Sequence, residues 1–281
     1  MQRALLDEIQ ETVRRALAED IGSGDLTAGL ISTVTRINAC VMTREEAVLC
    51  GQMWFDEVFH QIDAAIKVQW RMHDGDLIQA GQTICDLGGP ARGILTGERT
   101  ALNFLQLLSA TATRTRQYVE AVRGTQAVIL DTRKTLPGLR KTQKYAVVCG
   151  GGRNHRLGLY DGILVKENHI AAAGSISAAL QAARYSAPKD IDVEIEVESI
   201  SRLREALRAG ADHLLLDNFS LEDLRSAVKE TRGRARLEAS GGITLANIRA
   251  VADCGVDYIS VGDITKNLDA IDLSLRFSPG A

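Results

Sequence analysis

The chain has 281 residues, enough for one or two domains at about 150 residues each, and 45% hydrophobic with 25% charged residues excludes disordered and fibrous classes. With 33 Lys/Arg against 36 Asp/Glu the net charge is −3, and only twelve residues are aromatic. A strongly basic nucleic-acid binder or a stacking platform for single strands does not look like this. Five scattered cysteines (Cys40, Cys50, Cys85, Cys149, Cys254) contain no Cys-x-x-Cys, which argues for thiols in a reducing compartment rather than a disulfide framework or zinc site. The N-terminal segment has no apolar leader, and no run approaches the roughly 18 apolar residues that span a bilayer. A cytoplasmic location without membrane or nucleic-acid partners is expected.

Residues 4–19 read as an amphipathic helix, with Leu5, Ile9, Val13 and Leu17 at helical spacing. Asp20 to Asp25 breaks it. Strand-like runs follow at Ala39–Met42, Ala47–Cys50, Lys67–Trp70 and Thr83–Leu87, with a helix near Gln52–Gln61 and Gly75, Gly81 and Gly88-Gly89-Pro90 as punctuation. This reads as a small α+β domain. A long helix is expected from Glu98 to Val122. Short apolar strands then alternate with helices: Ala127–Leu130, Gly162–Val165, Asp192–Val197, His213–Leu216, Arg236–Ala239 and Tyr258–Val261. Alternation of this kind implies parallel βαβ units. Six units could close an incomplete (β/α) barrel or lie open as a doubly wound sheet. Asp192, Glu194 and Glu196 share one face of their strand, which suits a polar barrel mouth; a solvent-exposed edge strand is the alternative.

Ligands of parallel α/β folds bind beyond the C-terminal ends of the strands. The residues there are Asp131-Thr132-Arg133-Lys134, Lys166-Glu167-Asn168-His169, Glu196 to Glu198, Asp217-Asn218, Ser240-Gly241-Gly242 and, after Ser260-Val261-Gly262, Asp263. Between Arg133 and Lys166 stand eight Lys/Arg and one acid, Asp161, so that stretch is +7 and the rest of the chain −10. A local basic block in an acidic chain focuses field on an anionic ligand, although Lys141 reads as plain solvated charge. The two glycine turns after the last two strands suit a phosphate. Glu196 and Asp217 could hold sugar hydroxyls or Mg²⁺, which takes carboxylate and phosphate oxygens. No Walker, His-Glu-x-x-His or G-x-S-x-G motif occurs, Gly150-Gly151-Gly152 lacks dinucleotide spacing, and His60, His73 and His213 read as isolated structural residues.

Ordered motifs along nearly the whole chain resemble the quinolinate phosphoribosyltransferase family. They include Glu19 to Thr27, Gly97 to Asn103, Asp131 to Thr135, Pro137 to Arg140, Lys144 to Ala146, Gly150 to Gly152, Asn154-His155-Arg156, Lys166 to His169, Glu194 to Glu196, Leu216-Asp217-Asn218 and Glu238 to Gly242. The resemblance implies an N-terminal open-faced α/β sandwich over residues 1–110, completed by a C-terminal helix at 267–281, and an incomplete α/β barrel over 111–266. It implies transfer of the phosphoribosyl group of phosphoribosyl pyrophosphate (PRPP) to quinolinate with decarboxylation, Mg²⁺ as cofactor, and a homodimer sharing its site, with a hexamer possible. It places Arg99, contributed across the dimer, with Arg133, His155 and Arg156 on quinolinate. It places Lys134 and Lys166 at the reacting centre, and Glu196 and Asp217 on ribose and Mg²⁺. Thr132, Ser240, Gly241, Gly242, Ser260, Val261 and Gly262 fall on phosphate. Leu136, Ala110 and Asp263 depart from residues common in that family. A phosphoribosyltransferase linked to molybdenum uptake, a sugar-phosphate lyase or isomerase, and a non-catalytic sensor are the competing readings, against which stand Asn154-His155-Arg156, the eight-cation block and the retained site residues.

Overall fold

A computed structural model describes residues 2–277. In chain order the elements are α1 (Gln2–Ile21), β1 (Arg36–Thr43), β2 (Ala47–Val48), α2 (Gln52–Ile62), β3 (Lys67–Trp70), β4 (Leu77–Ile78), β5 (Thr83–Pro90), α3 (Ala91–Ala121), β6 (Val128–Leu130), α4 (Arg140–Cys149), β7 (Ile163–Val165) and α5 (Glu167–Ala173). They continue with α6 (Ile176–Ser186), β8 (Val193–Val197), α7 (Ile200–Arg208), β9 (His213–Asp217), α8 (Leu221–Thr231), β10 (Arg236–Ser240), α9 (Ile248–Ala252), β11 (Tyr258–Ser260), α10 (Asp263–Lys266) and β12 (Leu273–Phe277). Two compact units result. The first comprises Met1–Arg116, Leu136–Gly151 and Asn267–Ala281; the second comprises Gln117–Thr135 and Gly152–Lys266.

The first unit is built on an antiparallel sheet ordered β12-β1-β5-β3. Its core takes the apolar stripe of α1 (Ile9, Val13, Leu17) and that of α2 (Trp54, Phe55, Val58, Phe59), all buried. Phe55 meets Phe59 and Trp70 edge-on at 5.1 and 5.2 Å between ring centres. Each such side chain contributes about 1.5–3 kcal/mol by leaving water.

Three expectations are corrected here. Where a last helix was expected over 267–281, residues 267–272 are irregular and Leu273–Phe277 make β12, antiparallel to β1 with Val41 opposite Leu275; the alternating Leu273, Leu275 and Phe277 show the period of a strand, and residues 278–281 lie outside the described part. The long helix starts at Ala91 rather than Glu98. Gly93 and Gly97 lie inside it because a Cβ at either would press on Ile66, Ile62 or Phe59 at 2.8–2.9 Å. For the same reason Gly88 and Gly89 are strand residues of β5 rather than a turn, their missing side chains admitting Asn38 and Ile66.

The second unit is an incomplete α/β barrel. Its six parallel strands run in the order β6-β11-β10-β9-β8-β7. β6 and β7 flank a seam where the Arg153 peptide is stitched to β6: Arg153 N–H donates to the Ile129 carbonyl at 2.9 Å, and Asp131 N–H to the Arg153 carbonyl at 3.2 Å. β8 lies between β7 and β9, so the edge-strand alternative falls; Glu194 and Glu196 face inward while Asp192, just before the strand, is exposed. The basic block does not act as one patch. Arg140, Lys141 and Lys144 belong to the first unit, where Lys141 pairs with Glu8 at 3.0 Å and Lys144 is buried. Arg133, Lys134, Arg153, Arg156 and Lys166 belong to the barrel.

Candidate active site

Register layers the barrel interior. Pairing of Glu196 with Leu215, Glu238 with Leu215 and Ser240 with Asp217 puts the inward side chains of β8, β9 and β10 at matched heights. At the C-terminal ends of the strands these side chains surround a cavity of about 520 Å³. Thr132, Arg133 and Lys134 enter it from the end of β6, and Lys166 from the end of β7. His155 and Arg156 come from the segment after α4; Glu196, Asp217, Ser240, Gly241, Gly242 and Ser260 also line it, whereas Arg99, Val261 and Gly262 of the expected set do not. Leu164, Leu215, Asn218 and Glu238 line it as well and were not anticipated as site residues.

Local bonds hold each group. Thr132 Oγ1 accepts from Lys134 N–H at 3.1 Å, and Thr265 Oγ1 donates to the Lys134 carbonyl at 2.7 Å, fixing the turn that carries the two cations. Buried Asp131 accepts His155 N–H at 2.9 Å. Asp161, the one acid of the basic block, accepts from Leu157 and Gly158 N–H at 2.7 and 2.8 Å and shapes the loop after Arg156. Arg156 donates to the Gly162 carbonyl at 3.0 Å. Burial and the facing charge of Arg133 hold the Arg156 guanidinium below its usual basicity, so the two cations meet at a cost that an anionic ligand would remove.

The cavity also gathers acids, Glu196 and Asp217. Oxygens of Glu196, Glu198 and Asp217 lie within 4.8 Å of one another. Lys166 Nζ donates to Glu196 Oε2 at 3.0 Å. Burial, then the charge of Glu196, raises Asp217 above its ordinary value. An all-carboxylate set under mutual repulsion fits Mg²⁺, which neutralises it through hard oxygen ligands. Glu198 thus joins the two carboxylates foreseen.

The glycine turns differ in what they offer. Gly241 has φ +94°, and a Cβ there would fall 2.2 Å from Asn218 Oδ1, so no other residue fits. Asn218, itself at φ +55°, donates N–H to the Ser240 carbonyl at 2.9 Å and Nδ2–H to Asp217 at 2.8 Å, joining the two strand ends. At the second turn Val261 is a correction. Its side chain is buried and its N–H donates to the Leu130 carbonyl at 2.9 Å, so neither is available to a phosphate. Gly262 stays at the rim, where a Cβ would meet Lys134 Cδ at 3.0 Å and Thr132 Oγ1 at 3.6 Å. Asp263 accepts Tyr118 O–H at 2.7 Å. Arg99 is an exposed residue of α3 in the first unit.

His213 is not isolated: it sits in the barrel against Glu194, which also pairs with His155 at 2.9 Å. Its signal in the sequence was its inward register two residues before Leu215 on β9, visible only once the neighbouring strands are aligned.

Comparison with known proteins decides the family. The model of the Quinolinate phosphoribosyl transferase C-terminal domain matches residues 111–276, and that of the N-terminal domain residues 25–109. The chain belongs to the quinolinate phosphoribosyltransferase family. A nicotinate-nucleotide pyrophosphorylase (carboxylating) of Mycobacterium leprae is 44% identical over 278 residues, covering 96% of this chain and 97% of that protein. A probable enzyme of the same name from Bacillus subtilis is 42% identical over 268 residues, covering 95% and 93%. Among solved structures, the nicotinate-nucleotide pyrophosphorylase from Francisella tularensis superposes with a TM-score of 0.94 at 47% identity, covering 97% of both chains.

Proposed function

We propose that this quinolinate phosphoribosyltransferase transfers the phosphoribosyl group of PRPP to the pyridine nitrogen of quinolinate, with loss of the 2-carboxylate, yielding nicotinate mononucleotide, pyrophosphate and CO₂. The observation that carries it is the cavity that gathers Arg133, Lys134, Arg156 and Lys166 with Glu196 and Asp217. A dicarboxylate and a polyphosphate ester need that division of charge. Arg133 and Arg156 suit the substrate carboxylates, guanidinium matching carboxylate with paired bonds. Ser240, Gly241 and Gly242, with Thr132 and the Gly262 turn, suit the 5-phosphate. Glu196, Glu198 and Asp217 would hold Mg²⁺, which when bound offsets the charge of the departing pyrophosphate. Lys166, tied to Glu196, stands where pyrophosphate charge develops. Lys134 sits where a cation would stabilise the ring carbanion left by CO₂. Alignment of the ring nitrogen and electrostatic complementarity to the leaving group supply the rate.

Arg99 is assigned to quinolinate from the partner subunit of a homodimer. Among the described residues no helix is long and apolar enough to cross a membrane. The test is the formation of nicotinate mononucleotide from quinolinate and Mg²⁺-PRPP. The expected result is product that vanishes in Arg133→Ala and on chelation of the metal; PRPP binding without product would refute quinolinate as acceptor. An Arg99→Ala subunit mixed with an Arg133→Ala subunit should regain activity if sites are shared.

A further inference from the structure

Two carboxylates and two imidazoles close a ring inside the barrel. Glu194 Oε2 lies 2.9 Å from His155 Nε2, and Glu194 Oε1 lies 3.3 Å from His213 Nε2. Glu238 Oε1 lies 3.7 Å from His155 Nε2, and Glu238 Oε2 lies 3.9 Å from His213 Nε2. Their side chains are 4% (Glu194), 0% (Glu238), 16% (His155) and 11% (His213) exposed. Glu238 and His155 face the cavity of the active site. His155, Glu194 and His213 face a second cavity of about 260 Å³. The ring therefore forms the partition between the two.

The donors fix the protons. Arg156 N–H donates to His155 Nδ1 at 2.7 Å, so Nδ1 keeps its lone pair. The ring proton is then on Nε2, directed at Glu194. Both nitrogens serve the protein, and the imidazole is neutral. Burial lowers His213, against the charge of Glu194, and Arg236 lowers it further. Two ionised carboxylates beside two neutral imidazoles would bury two uncompensated charges, which is too costly to persist. Neither Glu238 oxygen, nor Glu194 Oε1, has a hydrogen-bond partner in this arrangement. Burial and then the Glu194 charge push Glu238 up to about 8. Glu238 is the member that carries the extra proton.

We propose that Glu194 and Glu238 are positioning residues: facing His155 Nε2, they lock His155 as the neutral Nε2–H tautomer and so hold Arg156 in place for a substrate carboxylate. His155 presents a ring edge to the cavity rather than a charge, and the cationic work falls to Arg133 and Arg156. This rests on quinolinate as substrate.

The test combines histidine ¹⁵N NMR of the wild-type enzyme with substrate constants of variants. NMR should show His155 neutral, with hydrogen on Nε2, between about pH 6 and 8. Glu238→Leu should raise KM for quinolinate roughly tenfold while KM for PRPP stays within about twofold, because Arg156 and not the phosphate turns is displaced. Glu238→Gln, which keeps a neutral hydrogen-bonding group, should restore most of the loss. An imidazolium or an Nδ1–H tautomer at neutral pH overturns the proposal. So does an equal rise of both KM values, or a Gln variant no better than Leu. Zinc or manganese retained stoichiometrically by the wild type and lost from Glu238→Gln also overturns it, the ring then being a metal site. Circular dichroism checks folding, and if the Leu variant does not fold, NMR and the Gln variant still decide. Absence of nicotinate mononucleotide from the wild type would refute the substrate while leaving the tautomer measurement intact.

Discussion

Gly241 shows how narrow the tolerance of the rim is at a single residue. Its φ of +94° and the 2.2 Å approach of Asn218 Oδ1 to any added Cβ forbid a side chain. Gly241→Ala should cost about 1–3 kcal/mol of stability through strain. KM for PRPP should rise with it, because Asn218 would have to release Asp217; thermal unfolding and steady-state kinetics read the two effects. Glu238 gives a second test by titration. Its carboxyl is raised in the folded protein from 4.5 to about 8. The folded state therefore binds the proton more tightly than the unfolded state. The protonated form's contribution is fully present below about pH 4.5 and is lost as pH climbs through about 8. Glu238→Gln should flatten that decline in denaturant-unfolding free energy, and an unchanged slope would place the titration elsewhere. The rim residues were legible because the strand-end rule is local: Arg133, Lys134, Lys166 and Asp217 each follow a short apolar run directly. Glu238 and His213 were not, since their meaning depends on which residues of neighbouring strands stand beside them.

Elements were legible where their period was clean. β3 and α2 match their apolar spacing almost residue for residue, and all six barrel strands were foreseen within a residue or two. The errors fell on glycine and on the C-terminus. Glycine was taken as punctuation, but in α3 and β5 it is a packing residue that lets two surfaces touch. Gly97→Ala tests the distinction. Helix propensity alone predicts a gain of about 1 kcal/mol. Contacts of 2.8 Å to Ile62 Cδ1 and 2.9 Å to Phe59 Cε1 predict a net loss instead. Overpacking of this kind costs about 1–3 kcal/mol, measurable by urea denaturation. β12 was missed because a five-residue strand after a loop carries little periodic signal, and its partner β1 lies more than 200 residues earlier.

At the scale of the molecule, the family resemblance foresaw the two-part architecture, but no reading of the sequence foresaw that Leu136–Gly151 belongs with the first unit. The basic block is consequently shared between units, and four of its five barrel members (Arg133, Lys134, Arg156 and Lys166) line the cavity of a chain whose net charge is −3. Attraction of an anionic substrate to such a local field is screened over about 10 Å at 0.1 M salt and about 3 Å at 1 M. The ratio kcat/KM for quinolinate should fall several-fold as potassium chloride rises from about 0.05 to 0.5 M, with kcat changing less. A salt-independent ratio would mean that encounter, rather than capture by the cations, is insensitive to this field.

The stitched seam of the barrel has a consequence for motion. The Arg153 peptide closes the gap beside β6 with two backbone hydrogen bonds, and the same segment two and three residues on carries His155 and Arg156. A barrel of six strands thus has its seam beside the residues assigned to grip the ligand. Opening of that joint and loosening of the grip are one event. Amide hydrogen exchange should report it: the Asp131 and Arg153 N–H groups should exchange faster than those of the central strand β9, and substrate should slow them selectively.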